Sequence, residues 1–143
     1  MSGRFFLDTN LLVYAIDAAD PGKQAIAQKW VAKAHETGDG FVSYQVVQEW
    51  FNVVLRKAAV PLSADDAASI YHQLIEPLWR IQSSRELLDT ALDLHRRDSI
   101  SWWDSLIVSA AIQGGCDSIV SEDLQHERKI HSVRIFNPFR ARK

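Results

Sequence analysis

The chain has 143 residues, 47% of them hydrophobic and 24% charged, which is enough for one compact domain with a buried core. Because the sequence has neither a run of about 18 apolar residues nor a signal-peptide core after Met1, we expect no membrane insertion and no secretion, and therefore a cytoplasmic location. A single cysteine, Cys116, excludes disulfide scaffolds and thiolate metal cages, and the net charge of −2 excludes a polycation that coats nucleic acid indiscriminately.

Short apolar runs and helical patterns alternate through the first half of the chain. Helices are predicted where apolar residues recur every three or four positions, and Gly38-Asp39-Gly40 breaks such a pattern and predicts a turn. Ser43 is placed to cap a helix that Pro61 ends. In chain order, the pattern predicts a strand at 3–7, a helix over 11–14, a helix over 22–35, a strand at 41–42 and a helix over about 43–58.

The second half of the chain continues this alternation. Ser63 begins one capping sequence, Ser83 with Glu86 forms a second, and Gly114-Gly115 ends the most apolar helix. The predicted elements are helices over 63–75, 83–98 and 104–113 and strands at 78–81, 118–120 and 133–136. Short strands separated by helices, without internal repeats, indicate one three-layer α/β domain over residues 1–143, with a parallel sheet covered on both faces and a basic tail at 137–143.

Four acidic residues occupy positions where a lone charge would be costly. The working site of an open parallel sheet lies at the carboxyl ends of its strands, which directs attention to acids just beyond them. Asp8 and Asp123 follow predicted strands directly or within a few residues. Glu49 borders the apolar stripe of its helix, and Asp104 lies in the first turn of the most apolar helix.

Each of these acids also has a purely structural explanation. The alternatives are a helix cap for Asp8, a surface ion pair with Arg56 or Lys57 for Glu49, and a polar loop for Asp123 together with Glu122. The helix dipole favours an acid at Asp104, but its contribution of about 0.3–1 kcal/mol is small beside the cost of burying an uncompensated carboxylate.

In a parallel sheet, the side chains of Asp8 and Asp123 leave the same edge, towards which the helix of Asp104 opens. Converging carboxylates repel, so some of them would take up protons unless a divalent cation compensated their charge. Oxygen ligands without a thiolate or a close histidine pair favour Mg²⁺ or Mn²⁺ over zinc. Such a cation most commonly works on phosphate esters, so these residues indicate phosphodiester hydrolysis.

Four segments of the chain carry a familiar pattern. They are residues 5–14 with Asp8-Thr9-Asn10, 46–50 with Glu49, 103–111 with Asp104, and 119–124 with Ser121-Glu122-Asp123. In this order and spacing, the segments resemble the PIN-domain ribonucleases, and within them the VapC toxins of bacterial toxin–antitoxin modules. The resemblance runs the length of the chain.

The resemblance implies a flavodoxin-like sheet of about five parallel strands, Mg²⁺- or Mn²⁺-dependent endonucleolytic cleavage of RNA, a homodimer, and inhibition by a cognate antitoxin whose C-terminal segment covers the site. It assigns catalysis and metal binding to Asp8, Glu49, Asp104 and Asp123, with polar support from Thr9, Asn10 and Ser121. Ser121 stands where the family often has threonine, and it keeps the hydroxyl. Glu122 leaves open which acid faces the site, although the hydroxyl–any–Asp pattern favours Asp123.

Basic residues concentrate after Glu127, the last acid of the chain. They are Arg128, Lys129, Arg134, Arg140, Arg142 and Lys143. Two interpretations stay open, namely a solvated and partly disordered tail or a patch that binds the RNA backbone beside the acids. Trp102 or Trp103, just before Asp104, can line either a substrate groove or a dimer interface.

Two other functions remain as hypotheses. A phosphatase that forms an aspartyl-phosphate also uses an acid after its first strand, but Asn10 stands where such an enzyme places a second aspartate. A non-catalytic, receiver-like binding module would share the sheet and show no metal-dependent cleavage. The sequence lacks the glycine-rich and nucleophile motifs of nucleotide kinases, dinucleotide-binding proteins and serine hydrolases.

Overall fold

The fold is an α/β arrangement, seen in a computed structural model that describes residues 3–140. Its strands are β1 (Phe5–Leu7), β2 (Gly40–Ser43), β3 (Trp79–Ile81), β4 (Ser118–Val120), β5 (Lys129–Ile130) and β6 (Val133–Phe136). Its α-helices are α1 (Thr9–Ile16), α2 (Pro21–Thr37), α3 (Tyr44–Asn52), α4 (Ala64–Ile70), α5 (Arg85–Asp98) and α6 (Trp102–Gln113). Helices α3 and α4 continue into π-helical turns at Val53–Lys57 and Tyr71–Ile75, and a 3₁₀ turn at Glu76–Leu78 leads into β3.

The strands form one sheet in the order β3-β2-β1-β4-β6-β5. The first five in this order run parallel, which confirms the predicted parallel sheet of about five strands. The sixth strand, β5, was not predicted; it has two residues and pairs antiparallel with β6 at the edge. Periodicity cannot reveal a two-residue strand, because no alternation of apolar and polar positions fits into it.

Helices cover both faces of the sheet. All three residues of β1 are buried, although successive side chains of a strand point to opposite faces. A strand buried on both faces requires cover above and below, which α1 with α2 and α5 with α6 supply as packed helix pairs. The largest fully buried side chain, Trp50 of α3, lies in the same core. The predicted three-layer arrangement is thereby confirmed.

Polar side chains fix where the helices begin. Ser43 and Ser63 cap α3 and α4, as predicted, by accepting the backbone N–H groups three residues on. The prediction of Ser83 as the cap of α5 is wrong, because Ser84 accepts the N–H of Leu87 at 3.0 Å. Among the helices of residues 3–140, none combines the length and hydrophobicity that a bilayer span demands.

Candidate active site

The topology brings three acid-bearing segments to the carboxyl edge of the sheet. Leu7 at the end of β1 lies beside Val120 at the end of β4, so the chain leaves both strands at the same level. Strand β2 runs parallel on the other side of β1 and passes directly into α3, which carries Glu49. The segments that carry these acids therefore begin at neighbouring strand ends, although the acids are 40 to more than 110 positions apart along the chain.

Asp8 is the buried acid of this edge. Its side chain caps α1, with Oδ1 accepting the N–H of Thr9 at 2.8 Å, while Oδ2 accepts the hydroxyl of Ser121 at 2.7 Å. Burial raises the pKa of Asp8 to about 6; the Ser121 and Thr9 hydrogen bonds oppose the rise, and the charges of Glu49 and Asp123 add to it. Asp8 is thus both the helix cap and an acid held among other acids.

Glu49 faces the site rather than the basic residues of its own helix. The hydroxyl of Thr9 donates to Oε1 of Glu49 at 2.6 Å, and the side-chain amide of Gln45 donates to Oε2 at 3.1 Å. The alternative ion pair with Arg56 or Lys57 is wrong. Gln45 escaped the sequence analysis, although its spacing of four positions from Glu49 places the two on one helix face.

Asp123 is connected to the site through Ser121 and Asn10. The Ser121 hydroxyl, which donates to Asp8, accepts the N–H of Asp123 at 3.1 Å. The Asn10 amide donates to Oδ2 of Asp123 at 3.1 Å, and its carbonyl oxygen accepts the N–H of Glu122 at 3.3 Å. One hydroxyl and one amide therefore fix the loop after β4 against the start of α1.

Glu122 points away from Asp8 and is neutralised by another set of partners. The Tyr14 hydroxyl and the Lys23 ammonium donate to its two carboxylate oxygens, and the ammonium lies 4.9 Å from the centre of the Tyr14 ring. Burial raises the pKa of Glu122, but the hydrogen bonds from Lys23 and Tyr14 outweigh it, so the pKa lies below its usual range. Sequence analysis missed Tyr14 and Lys23, because they lie about 100 positions from Glu122.

Asp104 lies in the first turn of α6, and the structure records no contact between its side chain and the other three acids of the described residues. Helix α6 is followed within five residues by the start of β4, which indicates that its first turn faces the carboxyl edge. The charges that act on Asp8 are those of Glu49 and Asp123, and Asp104 is not among them. The N–H of Asp104 donates to the capping hydroxyl of Ser101 at 3.1 Å. Within residues 3–140, the Asp104 carboxylate makes no hydrogen bond or ion pair. Its neighbour Trp103 shares a cavity with Gln45.

The donor set suits a hard divalent cation. Asp8 accepts two hydrogen bonds and has about four lone-pair positions, so it keeps acceptor capacity for a metal ion. The acids offer oxygen ligands and excess negative charge, which Mg²⁺ or Mn²⁺ would compensate. Across residues 3–140, no three acidic, histidine or cysteine side chains already converge as a coordination group. The residues fit the ion in chemistry and charge.

The predicted basic patch is divided between different places. Arg134 lies beside Ser118 at the start of β4, about 10 Å along the strand from Ser121, and opposite Lys129 on β5. The Arg134 guanidinium lies 3.7 Å from Glu127. Lys129 and Arg134 therefore do not border the acids.

The remaining basic residues have other surroundings. The Arg128 guanidinium donates to the backbone carbonyl of Asp98 at 2.7 Å. Arg140 is exposed and follows Phe139, whose ring packs edge-on against Tyr14 with centroids 5.2 Å apart. Arg142 and Lys143 lie outside the described residues.

Three solved structures share this fold over most of both chains. A FitAB complex bound to an IR36 DNA fragment aligns with a TM-score of 0.68 and 17% identity, over 97% of this chain and 98% of that one. Rickettsia felis VapBC2 bound to promoter DNA aligns with a TM-score of 0.61 and 19% identity, over 92% of this chain and 96% of that one. Mycobacterium tuberculosis VapC20, described as a sarcin-ricin loop cleaving toxin, aligns with a TM-score of 0.60 and 17% identity, over 83% of this chain and 89% of that one.

The family follows from a direct comparison of the sequence. No curated protein sequence matches the chain. A family model for the PIN domain matches residues 5–130, a span that includes Asp8, Glu49, Asp104 and Asp123. The match covers well over half of the chain and begins with β1. The chain therefore belongs to the PIN domain family.

Proposed function

We propose that this protein is a divalent-metal-dependent endoribonuclease and the toxin of a toxin–antitoxin pair. The observation that carries the proposal is the buried Asp8, held by Ser121 and Thr9 while the charges of Glu49 and Asp123 act on it. A protein keeps such an uncompensated acid cluster where it serves a function, since packing alone disfavours it. Similarity to VapC20 and to the FitAB and VapBC2 complexes supports the same conclusion.

The proposed roles follow from the partners of each acid. Asp8 and Asp104 would hold Mg²⁺ or Mn²⁺, with Glu49 and Asp123 completing the set. The ion, when bound, would supply charge compensation at the phosphate and a lower pKa for the attacking water. Thr9 and Gln45 fix the Glu49 carboxylate, which would accept a proton from the attacking water as a general base. Direct attack by water predicts 5′-phosphate and 3′-hydroxyl ends.

The basic end of the chain is proposed to hold the RNA backbone. Phe139 packs against Tyr14, whose hydroxyl binds Glu122, the neighbour of Asp123, so residue 140 follows a contact with the loop after β4. Arg140, and beyond it Arg142 and Lys143, would contact phosphates by charge attraction. Neutralising Arg140 should weaken RNA binding in chelator and reduce its dependence on salt; an unchanged salt slope would remove Arg140 from the binding surface.

An antitoxin segment is proposed to cover the acids along an apolar groove. A cavity of about 300 Å³ beside Asn10 and Asp123 shares Val13 and Val53 with a second cavity of about 310 Å³. The second cavity continues to Val60, which is 82% exposed. A mostly apolar peptide with a basic end would fit this groove, because the apolar walls of the two cavities lead towards the negative charge of the acids.

Homodimer formation is proposed for the surface of α3, α5 and α6. Among the described residues, this surface carries four of the five exposed large hydrophobic side chains, namely Tyr44, Leu88, Leu92 and Trp103. Such a cluster on adjacent elements is typical of an interface that a second copy covers. Leu88→Asp should produce monomers in light scattering, whereas Val60→Asp should not.

The decisive experiment compares the wild-type protein with Asp8→Asn on pooled cellular RNA. The wild type should cleave with Mg²⁺ or Mn²⁺, leave 5′-phosphate ends, and stop when chelator is added. Asp8→Asn should not cleave. Ends with 2′,3′-cyclic phosphate would contradict the mechanism, because that product uses the ribose 2′-hydroxyl. A phosphoenzyme trapped at Asp8 would favour the phosphatase hypothesis, and a folded protein without cleavage under any metal would favour the receiver-like module.

A further inference from the structure

The turn between α5 and α6 is held by two side chains. The Nδ1–H of His95 donates to the carbonyl of Ile100, with 2.6 Å between the heavy atoms. The Arg128 guanidinium donates through Nη2 to the carbonyl of Asp98 at 2.7 Å. Between these carbonyls, Ser99 adopts a left-handed conformation with φ of 54°. The chain reverses direction here with two of its carbonyls fixed from outside the turn.

The Arg128 contact joins two segments that carry proposed metal ligands. Residues 121–128 lead from the Asp123 loop to β5, while residues 98–101 lead directly into the first turn of α6, where Asp104 lies. The base of the Arg128 side chain is itself fixed, because its carbonyl accepts the N–H of Ile135 at 2.9 Å and its N–H donates to Gln125. The contact therefore links two well-held backbones.

No hydrogen bond or ion pair of the described residues holds the Asp104 carboxylate. Its position depends on where α6 begins, which the Ser101 cap and the preceding turn determine. A charge-assisted hydrogen bond from a guanidinium is among the stronger single contacts available for fixing a backbone carbonyl.

We propose that Arg128 is a positioning residue, which fastens the α5–α6 turn to the Asp123 segment and so places Asp104 relative to Asp123. This assigns Arg128 to the architecture of the site instead of to the RNA backbone. The part that concerns metal binding rests on the proposed function; the part that concerns the turn does not.

Hydrogen exchange tests the tether directly. Arg128→Met removes the guanidinium, and Arg96→Gln serves as the matched control, since Arg96 is an exposed cation on α5 whose one recorded partner among residues 3–140 is Asp93. In Arg128→Met, amides 99–105 should exchange about tenfold faster, whereas in Arg96→Gln they should exchange as in the wild type. Arg128→Lys keeps the charge but loses the guanidinium group, so it should raise the exchange rate of amides 99–105 by a smaller factor. This variant replaces Arg128→Met in the test if the Met variant does not fold.

Two further measurements separate positioning from RNA binding. The Mn²⁺ dissociation constant, measured by calorimetry without RNA, should rise about tenfold in Arg128→Met, as for other residues that orient metal ligands. RNA affinity in chelator, and its salt slope, should match the wild type. Unchanged exchange at amides 99–105 would overturn the proposal, and so would a reduced salt slope with normal Mn²⁺ binding. Faster exchange without any Mn²⁺ binding to the wild type would instead contradict the proposed function and leave the tether standing.

Discussion

The acids at the two edges of the sheet have different surroundings. At the amino edge, Asp117 accepts the N–H of Gly3 at 2.7 Å, and the ammonium of Lys33 lies 4.9 Å from the centre of the Trp30 ring. At the carboxyl edge, Asp8 is buried with hydrogen-bond donors, no cation of residues 3–140 pairs with it, and Glu49 and Asp123 act on it with like charge. Asp117 at the amino edge is thus hydrogen-bonded at the surface, whereas Asp8 at the carboxyl edge is buried among like charges. This difference supports the proposed site at the carboxyl edge, because burying like charges together costs stability unless they serve a function.

The largest expected effect comes from replacing one carboxylate by an amide and comparing the result with the same change at the other edge. Asp104→Asn should lower RNA cleavage by more than about a hundredfold, beyond the range typical of residues that merely support metal ligands. Asp117→Asn, the matched change at the amino edge, should leave cleavage within about twofold. Cleavage rates and the Mn²⁺-induced rise in melting temperature would be measured for both variants. Equal losses would show that the carboxyl edge is not special.

The next effect concerns stability and pH in the absence of metal. Folding raises the pKa of Asp8 from 3.8 to about 6, so between these values the folded chain binds more protons than the unfolded chain. The free energy of unfolding should therefore fall as pH rises through this window, by up to about 3 kcal/mol. Asp8→Asn should abolish this loss.

Urea unfolding of the metal-free protein from pH 3.5 to 7.5 would measure the effect. Asp117→Asn is again the control, because it should keep the pH dependence of the wild type. A wild-type stability that does not fall between pH 4 and 6 would mean that Asp8 is compensated, and the contrast between the two edges would disappear.

A smaller effect is expected from the hydroxyl that joins two acids. Ser121→Ala removes the donor to Asp8 and the acceptor for the N–H of Asp123, so cleavage should fall about 10–100-fold. Ser109 is the matched control, a buried serine whose hydroxyl donates to the carbonyl of Leu87 and not to an acid. Ser109→Ala should cost about 1–3 kcal/mol of stability and leave cleavage unchanged. Equal cleavage by the two variants would contradict the role of Ser121.

Sequence reasoning reached the architecture because apolar runs and helical patterns are local. The apolar character of residues 3–7 and 118–120 alone predicts strands, observed at Phe5–Leu7 and Ser118–Val120, and a parallel sheet then implies that the segments after them share an edge. The two-residue β5 and the π-helical turns leave no periodic signal, and Ser83 and Ser84 offer the same capping hydroxyl one position apart.

The candidate acids were predicted for a related reason, and their hydrogen-bond partners were not. The sequence alone shows a carboxylate within an apolar run, as at Asp8. Whether Lys23 meets Glu122 depends on the packing of α2 against α1, which brings together residues 99 positions apart. Arg128 was visible as a charge, but its contact with Asp98 depends on the placement of the α5–α6 turn.

The smallest expected effect is that of Glu122→Gln, which is compared with the same change at the adjacent acid, Asp123. Asp123→Asn should lower cleavage about 10–100-fold, because Asp123 acts on Asp8. Glu122→Gln should leave cleavage within about threefold and lower the unfolding free energy by about 1 kcal/mol, since it loses the Lys23 ion pair. Lys23→Met provides the control, because it should reproduce the stability loss of Glu122→Gln without additivity in the double variant. If Glu122→Gln were the inactive variant, the acid facing the metal would be the neutralised one, and uncompensated charge could no longer identify the site.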